Sequence, residues 1–155
     1  MCILLLLAGG AYAQQKTVRI LAIGNSFSQD AVEQYLYELA EAAGYELIIG
    51  NMYIGGCDLD KHWANFQSDA AAYEYRKIVK GEKVGKIGYK LSQGLADENW
   101  DYISLQQASG KSGKYETYTV LADLIAGIKE RCPKAKLLWH QTWAYASSST
   151  HESFP

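Results

Sequence analysis

Thr17-Val18-Arg19-Ile20-Leu21-Ala22-Ile23 is the segment that most limits the folds open to this chain. Its second half is apolar at every position. As a strand it must be covered on both faces, the situation of a central strand in a parallel sheet. The run ends in Gly24-Asn25-Ser26, and an amphipathic segment begins within a few residues. That pattern is a strand-to-helix turn with a hydroxyl at its tip, which makes Ser26 a candidate nucleophile.

The rest of the chain repeats the alternation. Val32, Tyr35, Leu36, Leu39, Ala40 and Ala43 recur at helical spacing; Ser28 or Asp30 is the expected cap and Gly44 the stop. A second strand is expected over 45–52, then the turn Tyr53-Ile54-Gly55-Gly56, then a short helix over 59–66. From residue 71 to 89 the pattern alternates with period two around Gly81-Glu82-Lys83, and predicts an antiparallel hairpin inserted into the framework. One or two helical turns follow over 91–96, and a third core strand over 100–107. A helix over 115–131 presents Tyr118, Leu121, Leu124, Ile125 and Ile128 on one face and ends before Pro133. The last strand is expected over 136–141. This order argues an α/β domain, a doubly wound parallel sheet with helices on both faces. A chain of 155 residues is too short for two ordinary domains.

Hydrophobic content of 48% and charged content of 21% describe a folded protein, not a disordered one. A net charge of -2 gives no reason to expect nucleic acid or an anionic membrane as partner. The apolar run Ile3-Leu4-Leu5-Leu6-Leu7 followed by Ala11-Tyr12-Ala13 reads as a secretory signal peptide over 1–13, too short to stay in a bilayer as a helix. Residues 14–155 are then an exported domain with two cysteines, Cys57 and Cys132, expected to be unpaired. No Cys/His spacing suits zinc, so neither metal nor cofactor is expected.

In a sheet of this kind ligands bind beyond the carboxyl ends of the strands. Those ends carry Gly24-Asn25-Ser26, Gly55-Gly56, Gln106-Gln107 and His140-Gln141-Thr142, which converge on one rim. A serine nucleophile needs a base and donors for the oxyanion formed on attack. The Ser26 N–H at a helix start, the bare N–H of Gly56 and an amide from Gln106 or Gln107 are the candidate donors. Two other readings stand beside this one. Gly-Asn-Ser is also ordinary turn chemistry, and hydroxyl-rich loops at helix starts bind phosphate or flavin. Against the latter, the loop has one glycine, a bulky Phe27 and no GxGxxG pattern. Of the aromatic residues, Trp139 and Trp143 lie close together, suited either to a core or to stacking on sugar rings.

Gly24-Asn25-Ser26-Phe27-Ser28 resembles the first block of the SGNH (GDSL-like) hydrolases, with Asn in place of the usual Asp. Gly56 matches that superfamily's second-block glycine, and Trp100-Asp101-Tyr102-Ile103-Ser104-Leu105-Gln106-Gln107 resembles the third-block strand. The whole resembles a secreted bacterial subgroup known as DUF4886, over essentially all of the mature chain. The resemblance implies a flavodoxin-like, three-layer SGNH-hydrolase fold with its domain over 14–155, in a secreted or periplasmic serine esterase. The substrate it implies is an acylated carbohydrate or another small polar ester. Ser26 would be the catalytic nucleophile; Ser26, Gly56 and Gln107 would form the oxyanion hole; Asn25, Gln106 and Trp143 would contact substrate. The superfamily's Asp-x-x-His has no match at His62, His140 or His151. Its base and acid are therefore expected beyond residue 155, with the domain incomplete at its C-terminus. A non-catalytic glycan-binding domain that kept the fold and lost the triad is the alternative.

Overall fold

A computed structural model describes residues 16–143 and 145–150; the expected signal segment over 1–13 and His151 lie outside them. The elements run β1 (Lys16–Gly24), α1 (Ser26–Glu33), α2 (Leu36–Ala42), β2 (Tyr45–Tyr53), α3 (Leu59–Ser68), β3 (Tyr73–Val79), β4 (Glu82–Tyr89), α4 (Leu91–Ala96), β5 (Tyr102–Leu105), α5 (Leu121–Arg131) and β6 (Lys136–Trp139). Two single 3-10 turns, Ser109–Lys111 and Tyr115–Thr117, lie between β5 and α5.

The strands form one six-stranded sheet of order β4-β3-β2-β1-β5-β6. β1 pairs in parallel with β2 and β5, and β5 in parallel with β6. β3 runs antiparallel to β2, and β4 antiparallel to β3. The expected all-parallel sheet is thus a mixed one. The hairpin predicted over 71–89 forms as β3 and β4 and extends the sheet past β2. Lys80 and Gly81, at φ +52° and +76°, supply the two left-handed residues that its two-residue turn requires.

Side chains alternate between two cores, one on each face. Leu21 and Ile23 join Met52, Leu59, Leu91, Ile103, Leu124 and Ile128 under α3, α4 and α5. Their neighbours Ile20 and Ala22 join Val32, Leu47, Ile49 and Ile78 under α1 and α2. A strand feeding both cores must be apolar throughout, which accounts for the unbroken run in β1.

Two helices differ from expectation. The segment over 26–42 is two helices, not one: Tyr35 leaves helical geometry at φ -128°, ψ -4°. The break falls just after Glu33, whose carboxylate is held against the sheet by Asn51, Arg76 and Lys83. Tyr35 and Leu39, expected on the buried face, are instead exposed. The helix expected over 115–131 begins only at Leu121, and Tyr118 packs from the preceding turn. No helix among the described residues is long and apolar enough to cross a membrane.

Candidate active site

The carboxyl ends of β1, β2, β5 and β6 lie side by side, as the strand order requires. Ser26 is the first residue of α1, exposed at the tip of the β1–α1 turn. The cap is Asn25, not Ser28 or Asp30. Its Oδ1 accepts from Phe27 N–H at 3.1 Å, and its Nδ2 donates to Cys57 O at 2.8 Å. One side chain thus starts the helix and ties it to the β2–α3 turn. A second tie is the Ile54 N–H to Gly24 O bond, 3.1 Å. The β2–α3 turn closes with Cys57 N–H on Ile54 O, and Gly56 takes φ +62° at its centre. No acceptor among the described residues takes the Gly56 N–H. α1 has no acidic residue in its first turn, so the positive end of its dipole is left uncancelled at Ser26.

Ser28 is the buried hydroxyl of this turn. Its Oγ lies 2.7 Å from Asn25 O and 3.0 Å from Asn51 Oδ1, both acceptors. Asn51 Nδ2 donates to Glu33 at 2.6 Å, and Glu33 accepts from Arg76 and Lys83. The Arg76 guanidinium lies 3.8 Å over the Tyr53 ring. This network, which sequence reasoning missed, holds the start and the end of α1 against β2 and β3. Asn51 and Arg76 face each other in the β2–β3 register, so the hairpin braces the turn.

The two glutamines divide their work differently from expectation. Gln107 is not an oxyanion donor in this arrangement. Its Oε1 accepts from Leu59 N–H and Ala108 N–H, and its Nε2 donates to Thr117 O and lies 3.2 Å from Thr117 Oγ1. The amide is consumed in joining α3 to the β5–α5 loop. Gln106 donates through Nε2 to Asn25 Oδ1, and its Oε1 lies 3.0 Å from His140 Nδ1. Asn25 and Gln106 are both buried, so they shape the turn from beneath and do not offer themselves to a ligand. Gly24 is needed here because a Cβ on it would fall 2.6 Å from Gln106 Oε1.

Trp143, in contrast, lies at the surface beside the turn. The residue is 64% exposed, and its ring meets Phe27 edge to face with centroids 4.4 Å apart. No side chain among the described residues bonds the Ser26 hydroxyl. His62, on the buried face of α3, bonds Tyr73 OH at 3.0 Å through Nδ1, and burial pushes its pKa down to about 4. Burial likewise pushes the Cys57 thiol up to about 12, so it is no thiolate nucleophile. Cys57 and Cys132 are free. Among the described residues no group of His, Cys, Asp and Glu could hold a metal ion.

Comparison with known proteins extends these observations. The family model DUF4886, a domain of unknown function, matches residues 19–155. Among solved structures, the chain is similar to a DUF4886 family protein from Bacteroides uniformis, at 53% identity and a TM-score of 0.85. The match covers 89% of this chain and 54% of that one, so the chain spans about half the length of that relative. A comparison with functionally curated proteins finds no match.

Proposed function

The chain belongs to the DUF4886 family, and from that premise we propose that it is the nucleophile-bearing part of an exported SGNH-type serine esterase. The observation that carries this reading is Ser26. It is an exposed hydroxyl at the first turn of a helix, directly after a central parallel strand, with the Gly55-Gly56 turn tied to the same loop.

In the proposed reaction Ser26 Oγ attacks an ester carbonyl as a base removes its proton. The Ser26 and Gly56 N–H groups receive the oxyanion; the alcohol leaves, and water then releases the acid. Neither donor has an acceptor among the described residues. The β5 amides are committed to the scaffold, so two backbone donors constitute the hole in this proposal. The base and its orienting acid, absent as Asp-x-x-His from these 155 residues, are assigned to the portion of the longer family protein that this chain does not match. An acylated carbohydrate is the proposed substrate, supported by the exposed Trp143 beside the nucleophile.

The test is fluorophosphonate labelling and acetyl-ester hydrolysis by the protein expressed from its whole reading frame. Labelling at Ser26, and loss of hydrolysis by about 10⁴-fold or more in Ser26→Ala without a change in folding, is the expected result. Absence of both label and turnover sinks the esterase. The second reading, a glycan-binding domain without catalysis, is favoured by a Ser26 hydroxyl without a side-chain partner among the described residues and is then what remains.

A further inference from the structure

A cavity of about 190 Å³ opens on the same rim, and the reaction proposed above draws on only Trp143 among its walls. Gln107, Tyr118, Trp139, His140, Thr142 and Trp143 are among its walls. Two of them reach the two neighbours of Ser26. Trp143 touches the Phe27 ring, and His140 connects through Gln106 to Asn25.

The hydrogen-bond chain fixes what His140 presents. Asn25 receives a backbone N–H on one side of its amide and faces a carbonyl on the other, so Oδ1 and Nδ2 cannot be exchanged. Gln106 must then offer its NH₂ to Asn25 Oδ1, which leaves its Oε1 facing His140. An amide oxygen only accepts, so the imidazole carries its proton on Nδ1 and keeps a lone pair on Nε2. Burial lowers the His140 pKa, in keeping with a neutral ring. No residue among those described occupies Nε2.

Thr142 adds the second polar group. It is 7% exposed, it lines the cavity, and its Oγ1 has no hydrogen-bond partner among the described residues. A hydroxyl removed from water and left unbonded costs stability, and a native protein tolerates it where a ligand or water completes the bond. The cavity thus has one fixed acceptor and one unengaged hydroxyl between aromatic walls. Its lining includes no Lys or Arg, which disfavours a carboxylate or phosphate ligand. An acyl chain would leave both polar groups unpaired.

We propose that this cavity is a subsite for a single hydroxyl-bearing sugar ring. His140 Nε2 accepts from one ring hydroxyl, Thr142 rotates to bring its Oγ1, closed to solvent in the unbound chain, onto a second, and the Trp143 indole covers a ring face. The volume suits this: at about 30 Å³ per water it has room for roughly six waters, one ring and not two. The inference rests on the esterase reading only in making that ring the alcohol part of the ester, adjacent to Ser26.

The test is made in the Ser26→Ala background with methyl glycosides of glucose, galactose, xylose and N-acetylglucosamine, which carry no O-acyl ester to hydrolyse. Saturation-transfer NMR and tryptophan fluorescence should show saturable millimolar binding of at least one glycoside. Thr142→Val should weaken it at least tenfold, with a melting temperature equal to or above that of the parent. Thr142→Ser should restore binding. Failure of all four glycosides to bind overturns the subsite, as does undiminished binding in Thr142→Val. A lower melting temperature in Thr142→Val would mean that the hydroxyl serves the fold, and overturns it equally. Sugar binding without fluorophosphonate labelling keeps the subsite and removes the esterase; labelling without sugar binding does the reverse.

Discussion

Phe27 and Trp143 meet edge to face, with ring centroids 4.4 Å apart and planes inclined at 61°. One belongs to the first turn of α1 and the other to the segment after β6, so the pair fastens the last described stretch of chain to the candidate nucleophile's turn. Such a pair contributes about 0.5–1.5 kcal/mol beyond area burial, enough to hold a loop but not to fix a fold. Trp143 nevertheless keeps most of its surface in solvent, which is why it can be both a fastener and a contact for something bound at Ser26.

Gln107→Leu separates a scaffold role from a catalytic one. The leucine keeps the bulk but strands Leu59 N–H and Ala108 N–H, and takes the donor from Thr117 O. Unfolding free energy from urea titration is expected to fall by about 2–4 kcal/mol. A glutamine acting on the oxyanion would show the opposite pattern, an unchanged midpoint with slowed turnover.

Glu33→Gln tests the network behind the turn. The carboxylate side chain is 2% exposed and faces Arg76, itself well covered, together with Lys83 and Asn51. Neutralising it leaves Arg76 with Glu74 alone. A loss of about 2–4 kcal/mol is expected. It should persist at high salt, because ions screen a covered pair poorly.

Gly127→Ala should destabilise although alanine is the better helix former by about 1 kcal/mol. Gly127 lies in α5 against Phe66 of α3, and a Cβ there would fall 2.5 Å from the ring's Cζ. The ring has little room to retreat, since Arg131 sits over it at 4.3 Å. Overpacking of this kind costs about 1–3 kcal/mol, and a melting curve of the variant reads the net sign directly.

His62 predicts an acid-side loss of stability. Burial lowers its pKa from 6.5 to about 4 in the folded protein. The unfolded chain therefore binds the proton first, and stability declines as pH falls from about 6.5 to about 4, then levels. The full effect is roughly 3 kcal/mol at about 1.36 kcal/mol per pH unit. His62→Gln should be weaker at neutral pH but flatter across that window, as read by denaturation at several pH values.

What the sequence disclosed follows from how local each signal is. The run ending at Ile23 announces a strand covered on both faces because each residue faces one of two cores. Period two from Tyr73 to Val79, with Gly81 beyond, announces the hairpin. Its place at the end of the sheet could not be read, because that depends on pairing with β2. Asn25, Ser28 and Asp30 are equally good caps by type, and only the Cys57 carbonyl selects Asn25. The roles of Gln106 and Gln107 were hidden for the same reason: adjacent and identical, they differ only in partners distant along the chain. His140 has no aspartate three residues before it to mark it in the sequence; its significance lies in which nitrogen Gln106 leaves unprotonated.

The central position of β1 has a further consequence, for synthesis. Arg19 and Asp101, joined where β1 meets β5, are separated by 82 residues. At about 5–20 residues per second, roughly 4–16 s pass between the appearance of the first and the second on a ribosome. Throughout that interval one edge of the most apolar strand in the sheet has no partner. β2 can pair with its other edge, and the hairpin with β2, but the open edge must wait for β5. The strand that presents the candidate nucleophile is therefore also the strand most exposed to mispairing in a nascent chain, and destabilising changes near Ser26 should appear first as lost soluble yield.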